Sequence, residues 1–273
     1  MNGQTIIVTG ASDGIGRALA AGLAARGARI VLAARNEAAL EAAARECRRA
    51  GGDALAVRTD VGVPAECRAL VDRAAAWSGR IDGLVNNAAL SFRGRLDEVA
   101  DVELFERVMR VNYLSAVCCT HAALPHLKAA RGLVVAISSV QGLAGFPSYS
   151  GYAASKHALQ GFFDSIRIEL RATGVDVLVV SPGAVATAIG AHGLGPDGRP
   201  RGERPRSAAM PVAECVRQIL DAMARRDREL VMTATARRTR WLRLLAPEWV
   251  DRRIERGVEA FLRAHQPGYG DAS

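Results

Sequence analysis

Lysine is almost missing from this chain. Of 36 basic side chains only Lys128 and Lys156 are lysines, and the rest are arginine. The resulting net charge of +8 is not read as a polynucleotide groove, because such a groove interleaves basic residues with exposed aromatics and aromatics are only 5% of the residues. Most of the excess also lies beyond residue 199, leaving the rest nearly balanced. No nucleic-acid partner is expected. Long apolar runs are missing too: no stretch reaches the roughly eighteen residues of a membrane span. The first apolar strand starts at Thr5, so no amino-terminal leader is expected. Cysteine is scarce, and positions 47, 67, 118, 119 and 215 have no metal-like spacing, so no metal is expected. Cys118 and Cys119 are adjacent in a helical pattern and are expected to pack in a core rather than bond to each other. A reducing cytoplasm fits that usage.

What is present is concentrated in a few places. Tyr152 is followed four residues later by Lys156, and helical positions i and i+4 share a face. A cation beneath a phenol favours the phenolate, and lowering a tyrosine from about 10 by about three units takes roughly 4 kcal/mol. At the other end, the β-branched run Thr5 to Thr9 reads as a buried strand that breaks at Gly10. A helix follows, with Ile15, Leu19 and Leu23 on one side. Gly10, Gly14 and Gly16 let the backbone approach a pyrophosphate, and the helix start presents free N–H groups to it. The loop Gly10, Ser12, Asp13, Gly14, Ile15 and Gly16 is therefore a candidate dinucleotide site.

Strand and helix patterns then alternate. Strands are expected at Ile30–Leu32, Ala54–Thr59, Leu84–Val85, Leu133–Ile137, Val175–Val180 and Glu229–Met232. Helices are expected over Asn36–Ala50, Pro64–Trp77, a stretch carrying Val111, Leu114, Val117 and Leu124, and Tyr152–Leu170. The pattern predicts an α/β fold: a Rossmann-type doubly wound parallel sheet of about seven strands flanked by helices. Residues 1–232 form the dinucleotide-binding and catalytic domain in this reading, and 233–273 a C-terminal helical extension of it.

Thr9-Gly10-x-x-x-Gly14-Ile15-Gly16, Asn86-Asn87-Ala88, Ser139, Tyr152-x-x-x-Lys156 and Pro182-Gly183 occur in the order and spacing of the short-chain dehydrogenase/reductase family. The chain resembles that family over roughly residues 4–232. The resemblance implies an enzyme that moves hydride between a nicotinamide cofactor and a carbonyl or alcohol. It assigns Tyr152 as general acid/base and Lys156 as the group that bonds the nicotinamide ribose and depresses the tyrosine. Ser139 would polarise the substrate carbonyl, Ser138 being the less well spaced competitor, and Asn112 would hold a water for a proton relay. Asp60 and Val61 would contact adenine, Asn87 the cofactor ribose, and Val185 and Thr187 the nicotinamide carboxamide. Ala89 departs from the family's usual glycine, which puts the local backbone in question.

At the end of the second strand an acidic residue would favour NAD(H), and an arginine accommodates the 2′-phosphate of NADP(H). This chain has Arg35 there and no carboxylate before Glu37, so NADP(H) is expected over NAD(H), although Asp13 sits where NADP enzymes often carry a basic residue. Phe146, Ile189 and Leu194 are expected pocket walls for an apolar substrate. Residues 190–207, rich in Gly, Pro and Arg, are expected to stay out of the core and act as a mobile flap. All five histidines read as structural or exposed. In the tail, arginines interleave with Trp241, Leu242, Leu244 and Leu245, and a second helix carries Val250, Ile254, Val258 and Phe261 on one face. These helices are expected to pack on the subunit or on a partner copy in a homodimer or homotetramer, with peripheral membrane contact the less favoured reading. Alternatives of other kinds are 3-oxoacyl carrier-protein reductase, a non-catalytic nucleotide-binding relative and a membrane-associated protein.

Overall fold

Ile6, Ile7 and Val8 are consecutive, apolar and buried, which a strand achieves only where both faces of its sheet are covered. The computed structural model, describing residues 1–202 and 209–265 with side chains through 257, shows how. Strands β1 (Thr5–Thr9), β2 (Arg29–Ala34), β3 (Ala54–Arg58), β4 (Gly83–Asn86), β5 (Leu133–Ile137), β6 (Asp176–Ser181) and β7 (Glu229–Val231) form one sheet in the order β3-β2-β1-β4-β5-β6-β7. Every neighbouring pair is parallel. The helices are α1 (Gly14–Ala24), α2 (Glu37–Arg49), α3 (Pro64–Ser78), α4 (Glu103–Met109), α5 (Ser115–Ala130), α6 (Ser150–Glu169), α7 (Val212–Arg225), α8 (Ala234–Leu245) and α9 (Pro247–His265).

Alternate strand residues serve opposite faces. Ile6, Val8, Ile30, Leu32 and Val135 pack with Leu19, Leu23, Leu40 and Ile219 of α1, α2 and α7. Ile7, Val31, Leu84 and Val134 pack with Leu70, Ala123, Leu159 and Phe163 of α3, α5 and α6. Because β1 pairs with both β2 and β4, strand order reverses beside it, and a crevice opens at the carboxyl ends of β1 and β4.

Element ends follow local chemistry. Asn36, expected as the first residue of α2, is instead its N-cap, its Oδ1 accepting from Ala39 N at 3.1 Å. Pro64 takes the first turn of α3. The helical stretch expected around Val111 to Leu124 is helical throughout but passes from α4 into α5 through a π turn over Arg110–Leu114. Such a turn inserts an extra residue and re-aims the side chains within it, here Asn112. All five cysteines are free thiols, and Cys119 is buried.

Two expectations need correction. Leu194 is not in a flap held off the core: it is buried in a satellite cluster with Phe92 and Val108. Its N–H donates to Ser91 O at 2.8 Å, and Arg93 N donates to Leu194 O at 3.0 Å. One leucine with strand-like main-chain bonds is enough to dock residues 190–202, whatever the polar composition around it. Residues 203–208 of the expected flap lie outside the described residues. In the tail, Val250 is 3% exposed, so it packs within this chain and does not belong to an open stripe. The side chains at 258 and 261 lie outside the described ones. No helix among the described residues is long and apolar enough to cross a membrane.

Candidate active site

Strands β1, β2, β4, β5 and β6 end on one side of the sheet, and the loops leaving them line a cavity of about 1010 Å³. The glycine loop forms one end. Gly10 and Gly14 have φ of +65° and +55°, conformations that disfavour side chains. Gly16 is tighter still: a Cβ there would lie 2.3 Å from Gly10 O and 2.4 Å from Asn87 Nδ2. The loop is held shut by Asn87, whose Nδ2 donates to Thr9 O at 2.9 Å and Gly10 O at 3.2 Å. Thr9 Oγ1 in turn accepts from the N–H groups of Asn87 and Ala88. Asp13 caps α1, its Oδ1 accepting from Gly14 N at 2.6 Å. The result is a backbone cradle at a helix N-terminus, shaped for a diphosphate. Ser12 and Ile15 line it, and Thr187 packs over Gly14.

Farther along, Arg35, Asp60 and Val61 line the cavity where β2 and β3 end. Arg35 is exposed and makes no hydrogen bond or ion pair with the described residues. Asp60 receives Gly62 N at 2.9 Å, which orients its carboxylate. Ala89 is not among the residues of positive φ, so alanine replaces glycine there without strain.

At the opposite end are Ser139, Tyr152 and Lys156. Lys156 is 1% exposed, and its Nζ donates to Ile137 O at 2.9 Å. Nζ lies 5.6 Å from the centroid of the Tyr152 ring, as the i, i+4 spacing on α6 predicts. Burial pushes the Lys156 ammonium down to about 7 from its ordinary 10.5. Ser139 caps a short turn over Val140–Gly142 by accepting from Gln141 N at 3.2 Å, which leaves its hydroxyl proton free to donate. Ser138 is buried, its hydroxyl 3.5 Å from Lys156 O.

The side chain of Asn112 is tied into the protein. Its Nδ2 donates to Leu90 O at 3.0 Å and Ser155 Oγ at 2.9 Å, and its Oδ1 accepts from Leu90 N at 2.7 Å. Both side-chain amide protons are spent inside the protein, so Asn112 could hold a water only as an acceptor, through its main-chain carbonyl or the second lone pair of Oδ1. What the side chain does visibly is brace α6 against the loop after β4.

Val185 and Ile189 also line the cavity, as does Phe146; Leu194 does not. Sequence reasoning missed Arg17, Arg107, Gln141, Tyr149 and His192, which line it as well. Arg17 could have been found, since it lies one turn beyond Asp13 on the same side of α1. Its guanidinium pairs with Glu46, Nε to Oε2 at 2.9 Å, and that pairing raises the Arg17 pKa and lowers that of Glu46. His192 is exposed, as read, but at the cavity edge. Gln141 Oε1 is buried without a hydrogen-bond partner among the described residues.

The model of the short chain dehydrogenase family matches residues 4–193. Dehydrogenase/reductase SDR family member 7B of Mus musculus is 35% identical over 243 residues, covering 85% of this chain and 74% of its own. An 11-beta-hydroxysteroid dehydrogenase-like 4A of Arabidopsis thaliana is 39% identical over 186 residues, 68% of this chain and 62% of its own length. Among solved structures, a short-chain dehydrogenase/reductase from Burkholderia phymatum in complex with NAD aligns with a TM-score of 0.81 at 27% identity, covering 91% of this chain and 95% of that one. An alcohol dehydrogenase from Thermococcus sibiricus complexed with 5-hydroxy-NADP aligns at 0.74 and 26%, covering 84% and 95%. The chain belongs to the short-chain dehydrogenase/reductase family. It is an NAD(P)-dependent oxidoreductase acting on CH–OH or C=O groups.

Proposed function

We propose that this chain interconverts an apolar ketone or aldehyde and its alcohol, with NADP(H) favoured over NAD(H). The observation that carries the reading is the meeting of Ser139, Tyr152 and Lys156 at one end of a cavity whose other end is a glycine cradle. The glycines let this loop close tightly on Asn87, Ala88 and Thr187 at the N-terminus of α1, and its backbone N–H groups fit a cofactor diphosphate. The bound cofactor supplies hydride. The chain's own residues do the rest. Ser139 donates its free hydroxyl proton to the substrate oxygen and fixes its position. Tyr152 passes a proton to that oxygen in reduction and takes it back in oxidation. Lys156, on the same helix face beneath the phenol, favours the ionised phenol when it carries its proton, which burial lets go near pH 7, and is a donor to a ribose hydroxyl. Asn112 sets the height of α6 through Ser155.

Cofactor choice rests on Arg35, an exposed guanidinium at the end of β2, unpaired among the described residues and suited to a phosphate. The neighbouring carboxylate of Asp13 is already engaged as the cap of α1. Apolar walls from Leu90, Phe146, Tyr149 and Ile189 support an apolar substrate, and one relative carries a hydroxysteroid dehydrogenase name. The test is NADPH oxidation against ketones, aldehydes, quinones and steroid ketones, with Tyr152→Phe alongside. The variant should bind cofactor normally and lose about 10²–10⁴-fold in kcat. Retention of more than about a tenth of the rate would refute general acid catalysis by this phenol.

A further inference from the structure

Few large apolar side chains stand exposed among the described residues, and four of them fall within one stretch: Trp241 (67%), Leu244 (74%), Leu245 (84%) and Trp249 (48%). The first three share one face of α8 at i, i+3 and i+4, and Trp249 opens α9 beyond the turn at Pro247. Val250 points the other way, buried, so the helix pair has its own internal contact and this patch is a separate surface. A contiguous group of this kind marks a contact site.

Charge decides the occupant. Residues 234–257 carry seven arginines against three carboxylates, and α8 has no carboxylate at all. Arg237, Arg240 and Arg243 are directed back into the chain, onto Val231 O, Glu229 and Leu143 O. Arg238 makes no ion pair among the described residues and stays exposed beside the patch. Arg253 lies over the Trp249 ring at 5.6 Å. The carboxylates sit on α9, where Glu248 is paired with Arg252 at 3.7 Å. A second copy docked through a two-fold axis at α8 would set this helix, which has no carboxylate, against its own image. An anionic lipid surface would instead attract the outward Arg238 and Arg253, and tryptophan is the side chain best suited to the headgroup boundary.

We infer that the α8–α9 tip is a peripheral docking surface for anionic membranes, with Trp241, Leu244, Leu245 and Trp249 entering the interfacial layer and arginines holding the headgroups. Because Arg243 is bonded to Leu143, the docked helix touches the loop that walls the cavity. This reverses the preference, argued from the α9 pattern, for a subunit contact.

The full chain should sediment with vesicles of phosphatidylcholine containing about 30% phosphatidylserine and leave them as salt rises to about 0.5 M. Its tryptophan emission should move to the blue on binding. The double variant Leu244→Ser/Leu245→Ser, at exposed positions that leave folding intact by circular dichroism, should partition at least about tenfold less. Arg238→Glu should weaken binding to anionic vesicles. Failure of the intact chain to sediment, or sedimentation untouched by the double variant, overturns the inference. A dimer that the double variant dissociates, with no vesicle binding, also overturns it and gives the face to a second copy.

Discussion

A lysine in water keeps its proton to about pH 10, yet Lys156, walled in with a single carbonyl partner, falls to about 7. The folded chain therefore binds this proton less tightly than the unfolded chain, which holds it across the interval from about 7 to 10.5. Stability should rise with pH through that window, because the unfolded state carries the extra proton. The contribution is at most roughly 1.4 kcal/mol per pH unit. Urea unfolding of the cofactor-free chain and of Lys156→Met isolates it: wild-type stability relative to the variant should climb from pH 7 to 10, and a flat difference would mean the lysine stays charged. Arg35 makes the second prediction at this scale. Arg35→Ala should weaken NADPH by about tenfold or more, at roughly 1.5–3 kcal/mol for a charged hydrogen bond, and NADH far less. The gap should shrink in high salt. Equal losses for the two cofactors, by fluorescence titration, would remove the basis for NADP(H) preference.

At the scale of elements, periodicity was a good guide wherever a helix or strand has one apolar face against the sheet. The expected α3 and α6 differ from those observed by one or two residues at their ends, as fraying and capping allow. It failed where structure depends on a single residue or an inserted turn. The π turn at Arg110–Leu114 has no periodic signature, since one extra residue in a helix leaves the apolar pattern nearly unchanged. Leu194 was misplaced because composition averaged over 190–207 hides one buried side chain. Leu194→Ala should cost about 2–4 kcal/mol locally and loosen residues 190–202. Limited proteolysis should then cut within that stretch, while the intact chain resists; equal cutting of both would mean the segment was never docked.

For the whole molecule, the parallel order of the sheet converts separate motifs into one site. Gly10, Asn87, Ser139 and Val185 are far apart in sequence but follow β1, β4, β5 and β6, and parallel strands deliver all four to the same side. The far end of the sheet is tied independently: buried Asp82 accepts from Thr5 N at 2.9 Å and from Arg80, joining β4 to β1 away from the cavity. The sequence by itself determined the strand and helix alternation, the glycine loop and the Tyr152–Lys156 pair, because each is a local pattern that period, turn chemistry or i, i+4 spacing makes visible. Tertiary structure alone decided what depends on distant partners. Asn112 spends its amide on Leu90 and Ser155, Leu194 leaves the pocket for Phe92 and Val108, and Val250 turns inward so that Trp241, Leu244, Leu245 and Trp249 form the open face. The physical reason is that burial and hydrogen-bond satisfaction are set by which residues meet across the fold, and no one-dimensional pattern carries that information.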